Sequence, residues 1–224
     1  EIVRKYRHSK EGKEALRRSM RKWLKTPGGR EYRKKTAKLL REKVISILGG
    51  RCSNPNCLVL GGCTDIRCLQ IDHINGGGTE ERKRGITTIY YKILNDPISA
   101  KTQYQVLCAN CNWIKKYEQK EIIKKVNADE KEREYGRKRR NILRFEIIKL
   151  LGGKCSNPEC QVSDIRCLQV DHINGGGHKE IRAIGIGAIY IKLIKDSTGY
   201  QMLCANCNWI KKYENNEVRI VNHL

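Results

Sequence analysis

The sequence predicts an α+β protein in which one small unit occurs twice in tandem, with the two copies related by a pseudo-two-fold axis. The run Asp-His-Ile-Asn-Gly-Gly-Gly stands at residues 72–78 and again at 171–177. In both copies a helix-period apolar segment comes before the run, and a short strand pattern comes after it. The repeat divides the chain into four parts. These are a basic helical arm at 1–38, a first unit at 39–126, a basic helical linker at 127–141 and a second unit at 142–224.

Each unit is predicted to begin with a helix that leads into two short strands. In the first unit the apolar residues recur at helical spacing over about 36–48. This helix is expected to stop at the glycine pair 49–50, and its counterpart at the glycine pair 152–153. Residues 67–74 are predicted to form a strand that runs into the glycine-rich loop, and residues 104–107 a second strand.

The remaining segments are predicted from composition and turn residues. Residues 109–118 are predicted to form a helix, with a continuation to 126 left open. The segment 82–94 is expected to be part loop and part helix, and 130–144 mostly helix with a weak point at Gly136. The first unit has an insertion at 58–63 and a longer loop before its second cysteine pair, and insertions of this kind are expected on the surface.

Eleven cysteines require an explanation, because units of this size bury a thin core and often need a metal or disulfides. Each unit has one pair with four residues between the cysteines and a later pair with two residues between them. Two close thiolate pairs separated by a long loop are typical of a closed, tetrahedral, structural zinc site. The predicted ligands are Cys52, Cys57, Cys108 and Cys111 in the first unit, and Cys155, Cys160, Cys204 and Cys207 in the second.

Disulfides are the alternative interpretation of these cysteines, and two observations weigh against it. The count is odd, and no apolar segment resembles a signal peptide or a membrane span, so an intracellular location is expected. The leftover Cys63, Cys68 and Cys167 are interpreted as ordinary residues. Cys68 and Cys167 occupy equivalent strand positions and are predicted to be buried.

The formal net charge of +22 predicts a polyanionic partner, and nucleic acid is the common one. More than half of this charge lies in residues 1–43. The arm is predicted to form short basic helices that Ser9 and Thr26 cap, with Pro27 at a first helical position. Such helices would follow a phosphate backbone. A flexible, merely soluble tail is the alternative.

The Asp-His pair inside this frame predicts a second kind of metal site. A carboxylate is a hard ligand suited to magnesium, and a neutral imidazole is a base near pH 7. Adjacent strand residues face opposite sides, so the strand must end or bulge for Asp72 and His73 to serve one site. Asn112, directly after the last zinc cysteine, is the candidate for a second hard ligand. A histidine satisfied in a purely structural role is the alternative.

Lys115 and Lys116 lie three and four residues beyond Asn112, on the same helical face. Lys211 and Lys212 repeat this arrangement after Asn208. These lysines are candidates for contacts with phosphates that flank a scissile one. A solvated helix surface is the alternative interpretation.

Together these motifs resemble the HNH endonuclease family, the ββα-metal nucleases. The resemblance rests on Cys-x4-Cys, Leu-Gln-Ile/Val-Asp-His-Ile-Asn-Gly and Leu-Cys-Ala-Asn-Cys-Asn-Trp-x-Lys-Lys, and it covers about residues 45–118 and 148–214. It implies a strand hairpin and a helix around one catalytic divalent ion, such as magnesium, in each unit, braced by structural zinc. It also implies that His73 and His172 are general bases. The implied ligands of the catalytic ion are Asp72, Asn112, Asp171 and Asn208.

One departure from the family pattern concerns the loop before the second cysteine pair. Family members often have an asparagine there that helps to hold the loop, whereas this chain has Gln103 in the first unit and Gly199 in the second. That role is not chemical, so the departure puts the loop geometry in doubt rather than the activity.

The expected function is site-specific cleavage of double-stranded DNA, of homing or restriction type, that leaves 5′-phosphate and 3′-hydroxyl ends. Each unit would cut one strand, so a monomer would act as a fused pseudo-dimer. A non-catalytic zinc protein that binds nucleic acid and a structure-selective or RNA-directed nuclease are the alternatives, since the residues alone do not separate DNA from RNA. The arm and linker are expected to add phosphate contacts from Arg30, Arg33, Lys34, Arg139 and Arg140.

Overall fold

The computed structural model describes residues 8–82, 85–119, 130–215 and 217. Over these residues the chain is a mixed α+β structure with two separate two-stranded sheets. The arm and the first unit contain α1 (Lys10–Trp23), α2 (Pro27–Ile47), β1 (Leu69–His73), α3 (Gly78–Arg82), α4 (Ile86–Asn95), α5 (Pro97–Gln103), β2 (Tyr104–Cys108) and α6 (Ala109–Glu118). The linker and the second unit contain α7 (Glu130–Leu150), β3 (Leu168–His172), α8 (Gly177–Lys195), β4 (Tyr200–Cys204) and α9 (Ala205–Glu214).

The arm consists of α1 and the first half of α2, and both predicted caps are confirmed. Ser9 Oγ accepts a hydrogen bond from the Gly12 amide at 3.0 Å, and Thr26 Oγ1 accepts one from the Gly29 amide at 3.1 Å. A Cβ at Gly29 would lie 2.2 Å from the Trp23 carbonyl oxygen, so the turn between the helices requires glycine there. α2 then continues as one helix to Ile47, and the predicted arm boundary at 38 falls inside it.

α2 and α7 have the same length of 21 residues and enter the two units in the same way. Each ends at the predicted glycine pair. The amide of the second glycine donates a hydrogen bond to the carbonyl oxygen five residues earlier, as Gly50 does to Ile45 at 2.9 Å. Each also sends an arginine to the loop before the first strand of its unit. Arg41 donates to the carbonyls of Ile66 and Leu69, and in the second unit Arg144 does the same for 165 and 168.

Each unit is built on an antiparallel strand pair followed directly by a helix. β1 pairs with β2 in a regular register that aligns Asp72 with Gln105 and His73 with Tyr104, and β3 pairs with β4 in the same register. The strands are therefore confirmed, although β1 covers only 69–73 of the predicted 67–74. α6 has the predicted bounds, and residues 120–126, where a continuation was left open, lie outside the described residues.

The segment between the strands is more helical than its sequence suggested. In the first unit a break at Gly85, with φ +97°, separates α3 from α4, and the expected long loop contains α5. In the second unit α8 runs through Gly185, whose φ of +76° kinks the helix at the corresponding place. α7 also continues through Gly136 without a break. Among the described residues, no helix combines the length and apolar character needed to cross a bilayer.

The two units contact each other through α6 and α9. The Asn110 amide donates to Asn206 Oδ1 at 2.9 Å, and the Asn206 amide donates to Asn110 Oδ1 at 2.9 Å. Both residues are buried. Outside this pair, Arg67 binds Glu214 at 2.5 Å, and Arg166 makes the equivalent bond to residue 118. The contact is therefore reciprocal, because equivalent residues exchange equivalent bonds.

Candidate metal centres and histidine cluster

Two groups of four cysteines, one in each unit, can hold a metal ion. They are the predicted sets Cys52, Cys57, Cys108 and Cys111, and Cys155, Cys160, Cys204 and Cys207. Within each set all four sulfurs lie within 4.8 Å of one another. The Cys57–Cys108 and Cys160–Cys204 sulfur distances are 3.9 and 3.8 Å. Zn–S bonds of about 2.3 Å in a tetrahedron place the sulfurs about 3.8 Å apart, so both sets fit a structural zinc ion.

Hydrogen bonds between neighbouring thiols favour the thiolate form that zinc requires at one cysteine of each set, and they raise the pKa of the cysteines that donate, Cys111 and Cys207. A hydrogen bond from the Cys111 thiol lowers the pKa of Cys108 to about 6, and a hydrogen bond from the Cys207 thiol lowers the pKa of Cys204 to about 5. In the second unit Asn157 Nδ2 also donates to Cys207 Sγ at 3.3 Å. The asparagine in Cys-Ser-Asn-Pro therefore supports a metal ligand.

The leftover cysteines differ in their surroundings. Cys68 and Cys167 are buried, as predicted. Cys63 is also buried, although the preceding residues 58–60 are exposed, and its sulfur lies 3.4 Å from that of Cys68. The second unit has Val162 at the corresponding position, which makes the same backbone bond to the first cysteine of its unit. The insertion is therefore a surface loop only up to Cys63.

Asp72 faces α6. Its Oδ2 accepts a hydrogen bond from Gln105 Nε2 at 2.9 Å and forms an ion pair with Lys115 Nζ at 2.6 Å. Lys115 also donates to the carbonyl oxygens of His73 and Ile74 at 2.6 and 3.2 Å. With 15% of its side chain exposed, Lys115 is tied to the end of β1 and is not a solvated surface residue.

Asn112 supplies the feature that best fits a second metal site. Its Nδ2 donates to Gln70 Oε1 at 2.5 Å, which turns the amide so that Oδ1 has no hydrogen-bond partner among the described residues. The residue is only 5% exposed, and a buried amide oxygen without a partner is costly. Asn112 binds Gln70, which lies on the same face of β1 as Asp72 two residues on, and amide and carboxylate oxygens suit a hard divalent cation.

Asn208 repeats this arrangement in the second unit. Its Nδ2 donates to Gln169 Oε1 at 2.7 Å, and its Oδ1 again lacks a partner within the described part of the chain. Asp171 Oδ2 accepts from Gln201 at 2.8 Å and from Lys211 at 2.5 Å. The predicted ligand pairs therefore have the same environment in both units.

His73 takes part in a separate cluster on the other face of the strand pair. Its Nε2 lies 2.6 Å from Glu81 Oε2, and the same oxygen accepts from the Tyr104 hydroxyl at 2.7 Å. Lys92 forms an ion pair with the other oxygen, Oε1. The imidazole also contacts the Tyr104 ring, with centroids 4.9 Å apart. β1 ends at His73 without a bulge, so the Asp72 and His73 groups lie on either side of the strand end.

The third glycine of the loop is required by this histidine. A Cβ at Gly78 would lie 2.8 Å from His73 Nδ1, and a Cβ at Gly177 would lie 2.6 Å from His172 Nδ1. Both glycines have ordinary φ values, so the constraint is the approach of the ring and not the backbone conformation. The triple glycine therefore does more than make the turn.

Glu81 is held as a carboxylate. Burial alone would raise its pKa. Hydrogen bonds from Lys92, His73 and Tyr104 outweigh burial and lower the pKa to about 2. Burial and the bond to this carboxylate raise the pKa of Tyr104 to about 12. Tyr104 thus keeps its proton, and Glu81 keeps its negative charge.

The second unit contains the same cluster. Glu180 Oε2 accepts from His172 Nε2 and, at 2.7 Å, from the Tyr200 hydroxyl, and Oε1 pairs with Lys192 at 2.7 Å. Hydrogen bonds from His172, Lys192 and Tyr200 lower the pKa of Glu180 to about 2. The imidazole and the Tyr200 ring have centroids 4.6 Å apart.

The other predicted nucleic-acid contacts lie in varied surroundings. Lys34, Arg139 and Arg140 are exposed. Arg30 and Arg33 instead donate to the carbonyls of Lys25 and Leu24, at the junction of α1 and α2.

The lysines that follow Lys115 and Lys211 also differ from each other. Lys116 stands over the Trp113 ring at 6.0 Å, and burial lowers the pKa of Lys212.

The loop before the second cysteine pair makes the same backbone hydrogen bond in both units. The Ile74 amide donates to the Gln103 carbonyl at 2.9 Å, and the Ile173 amide donates to the Gly199 carbonyl at 2.9 Å. Because a carbonyl makes this bond, it does not depend on the side chain at 103 or 199.

Sequence reasoning missed the residues around the two predicted sites. They are Glu81, Lys92, Tyr104, Gln70 and Gln105, with Glu180, Lys192, Tyr200, Gln169 and Gln201 in the second unit. One signal was present, because a glutamate follows the histidine by eight residues in both copies. Comparison with protein-family models, curated proteins and solved structures finds no match for this chain.

Proposed function

We propose that this protein is a metal-dependent DNA endonuclease of the HNH type, homing or restriction in character. Each unit would hydrolyse one strand and leave 5′-phosphate and 3′-hydroxyl ends. The observation that carries the proposal is the buried Oδ1 of Asn112 and of Asn208, which has no hydrogen-bond partner within the described part of the chain. A merely structural asparagine would have its oxygen satisfied.

The residues of each unit divide into two tasks. The Asp72 carboxylate and Asn112 Oδ1 would hold a divalent ion, and Asp171 and Asn208 would do so in the second unit. When bound, this ion supplies positive charge at the phosphate and at the departing oxygen. From the other side of the strand end, His73 would take a proton from water, and the hydroxide would form a bond to phosphorus as the bond from phosphorus to the 3′ oxygen breaks. The departing 3′ oxygen would take a proton from solvent water and become the 3′-hydroxyl.

Two such units in one chain suit cleavage of both strands. The reciprocal bonds of Asn110 and Asn206 support a pseudo-two-fold relation, since a two-fold axis exchanges equivalent contacts. Such a pair would act on a roughly palindromic site as a fused dimer. The net charge of +22 and the exposed Lys34, Arg139 and Arg140 support binding to a phosphate backbone.

Cleavage of a supercoiled plasmid carrying a target library, with magnesium, tests the proposal. The parent should give linear product, His73→Ala and His172→Ala should each give nicked circles, and the double variant should leave the plasmid intact. His178→Ala is the matched control, because His178 is exposed and outside the cluster. A parent that binds the library but cleaves none of it with magnesium or manganese would overturn the proposal.

One observation favours a second candidate, a zinc-containing nucleic-acid-binding protein without catalysis. Lys115 and Lys211 place an ammonium on the carboxylate that the divalent ion would use, at 2.6 and 2.5 Å. A permanent ion pair there would substitute for the ion. Manganese titration by calorimetry separates the candidates, because the endonuclease binds two ions in an Asn112- and Asn208-dependent manner and the binding protein binds none.

A further inference from the structure

We propose that Glu81 and Glu180 are positioning residues that fix the proton of each histidine on Nε2 and present Nδ1 as the basic nitrogen. The inference rests on the proposed function for its catalytic meaning, but its physical content is the orientation and tautomer of two imidazoles. It is argued from hydrogen bonds that occur in both units.

The proton between Nε2 and Glu81 must belong to the histidine. Glu81 Oε2 lies 2.6 Å from Nε2 and also receives the Tyr104 hydroxyl, while Oε1 receives the Lys92 ammonium. A carboxylate that accepts three donors has no proton to give. Since Nε2 is within hydrogen-bond distance of an acceptor, Nε2 is the protonated nitrogen, and the lone pair of the neutral ring is on Nδ1.

The Nδ1 edge of the ring lies close to a glycine. A Cβ at Gly78 would come within 2.8 Å of His73 Nδ1, and one at Gly177 within 2.6 Å of His172 Nδ1. Any side chain at these positions would therefore crowd the edge that carries the lone pair. The Tyr104 and Tyr200 rings contact the imidazoles at steep angles, so each imidazole is held by a hydrogen bond and by an aromatic contact.

Lys92 and Lys192 act on the histidines through the glutamates. Each forms an ion pair with its glutamate and has roughly half of its side chain exposed, whereas the glutamates are 14% and 20% exposed. The lysine neutralises the carboxylate and holds its second oxygen. The glutamate is thus oriented independently of the histidine that it orients.

Nitrogen-15 NMR of histidine-labelled full-length protein, loaded with zinc, tests the assignment. The chain has five histidines, and His→Gln variants assign their signals. Well above the ordinary histidine pKa of about 6.5, His73 and His172 should each show a downfield Nε2–H proton that exchanges slowly with water. The exposed His8 and His178 should show none. Glu81→Gln should shift the His73 signal and leave that of His172 unchanged, and Glu180→Gln should do the reverse.

Two results would overturn the assignment: a proton on Nδ1 of either histidine in the parent, or a His73 signal that Glu81→Gln leaves unchanged. The parent spectrum alone decides the first, so a variant that does not fold cannot obscure it.

The catalytic meaning is tested by strand-resolved cleavage. Glu81→Gln should lower kcat for one strand about tenfold or more with KM unchanged. A wild-type rate for Glu81→Gln would remove the positioning role and leave the nuclease proposal intact. Conversely, the NMR signature in a parent that cleaves nothing would remove the nuclease proposal and keep the tautomer assignment.

Discussion

The two units differ most where they surround the candidate sites and least inside them. The first unit has an insertion ending at a buried Cys63 and the extra helix α5, whereas the second has a short turn in place of α5, and both units have a glycine with positive φ at the same place, Gly85 and Gly185. Yet the bonds of Asp72, Asn112 and His73 are repeated by their counterparts. The insertions therefore changed the connections and not the contacts of the polar clusters.

The largest expected effect comes from removing a metal ligand in one unit. Cys108→Ser and Cys204→Ser should each reduce bound zinc from two ions to one and unfold the affected unit, since structural zinc contributes about 10 kcal/mol or more to folding. Zinc content by mass spectrometry and far-ultraviolet circular dichroism measure both effects.

The matched control is Cys63→Val, which gives the first unit the residue that the second has at Val162. It should retain two zinc ions, because the four ligands of each set are complete without Cys63. A drop to one ion would show that Cys63 is a ligand and that the units hold their metals differently.

The next effect concerns the glycine against each imidazole. Gly78→Ala and Gly177→Ala should each lower the free energy of unfolding by up to about 3 kcal/mol, because the new methyl group forces the ring aside. Urea unfolding measures the loss. Gly187→Ala in α8 is the control, since a Cβ there meets nothing within 4 Å and alanine favours helix. A stable Gly177→Ala variant beside a destabilised Gly78→Ala variant would break the equivalence of the units.

A smaller effect is expected at the contact between the units. Asn110→Ala removes the acceptor of the Asn206 amide and should cost about 1–2 kcal/mol, and Asn206→Ala should cost the same. Chemical denaturation of the two variants and of the double variant compares them. Unequal costs would contradict a two-fold relation, and a double variant that loses less than the sum would show that the two bonds are coupled.

The smallest effect is expected at the outer ion pairs. Glu214→Gln and Glu118→Gln should each cost less than about 1 kcal/mol, because both pairs are largely exposed. The cost should disappear in concentrated salt, which screens exposed charges. Thermal unfolding at low and high salt is the measurement, and a cost that persists in high salt would contradict this account.

Local sequence patterns predicted the helices and strands well. They predicted poorly which side chains from different helices and strands meet. The helix caps, the glycine stops of α2 and α7, the strand pairs and the cysteine sets follow from spacing along the chain, so the sequence indicated them. The continuity of α2 was missed because its apolar positions begin only near 36, whereas its helical turns begin at Pro27, directly after the Thr26 cap. Periodicity detects the buried face of a helix and not the exposed turns before it.

The polar environments could not be predicted in the same way. Glu81, Lys92 and Tyr104 come from α3, α4 and β2, and nothing in their spacing brings them to one histidine. Lys115 is a predicted phosphate contact, and its bonds to the carbonyls at the end of β1 are additional, because a helix face alone does not reveal which groups lie within reach of a side chain. Such contacts depend on packing between elements, which a single sequence does not encode locally.

The unbroken course of α2 has a mechanical consequence. A helix of 21 residues is about 30 Å long, and it joins the arm to the core of the first unit with no hinge. The part of the arm that belongs to α2 is therefore continuous with the helix that enters that unit. In the proposed endonuclease the length of α2 would set the distance between a DNA contact made by this part of the arm and the cut. Adding residues to α2 would lengthen that distance and also rotate the arm about the helix axis, by about 100° for each residue.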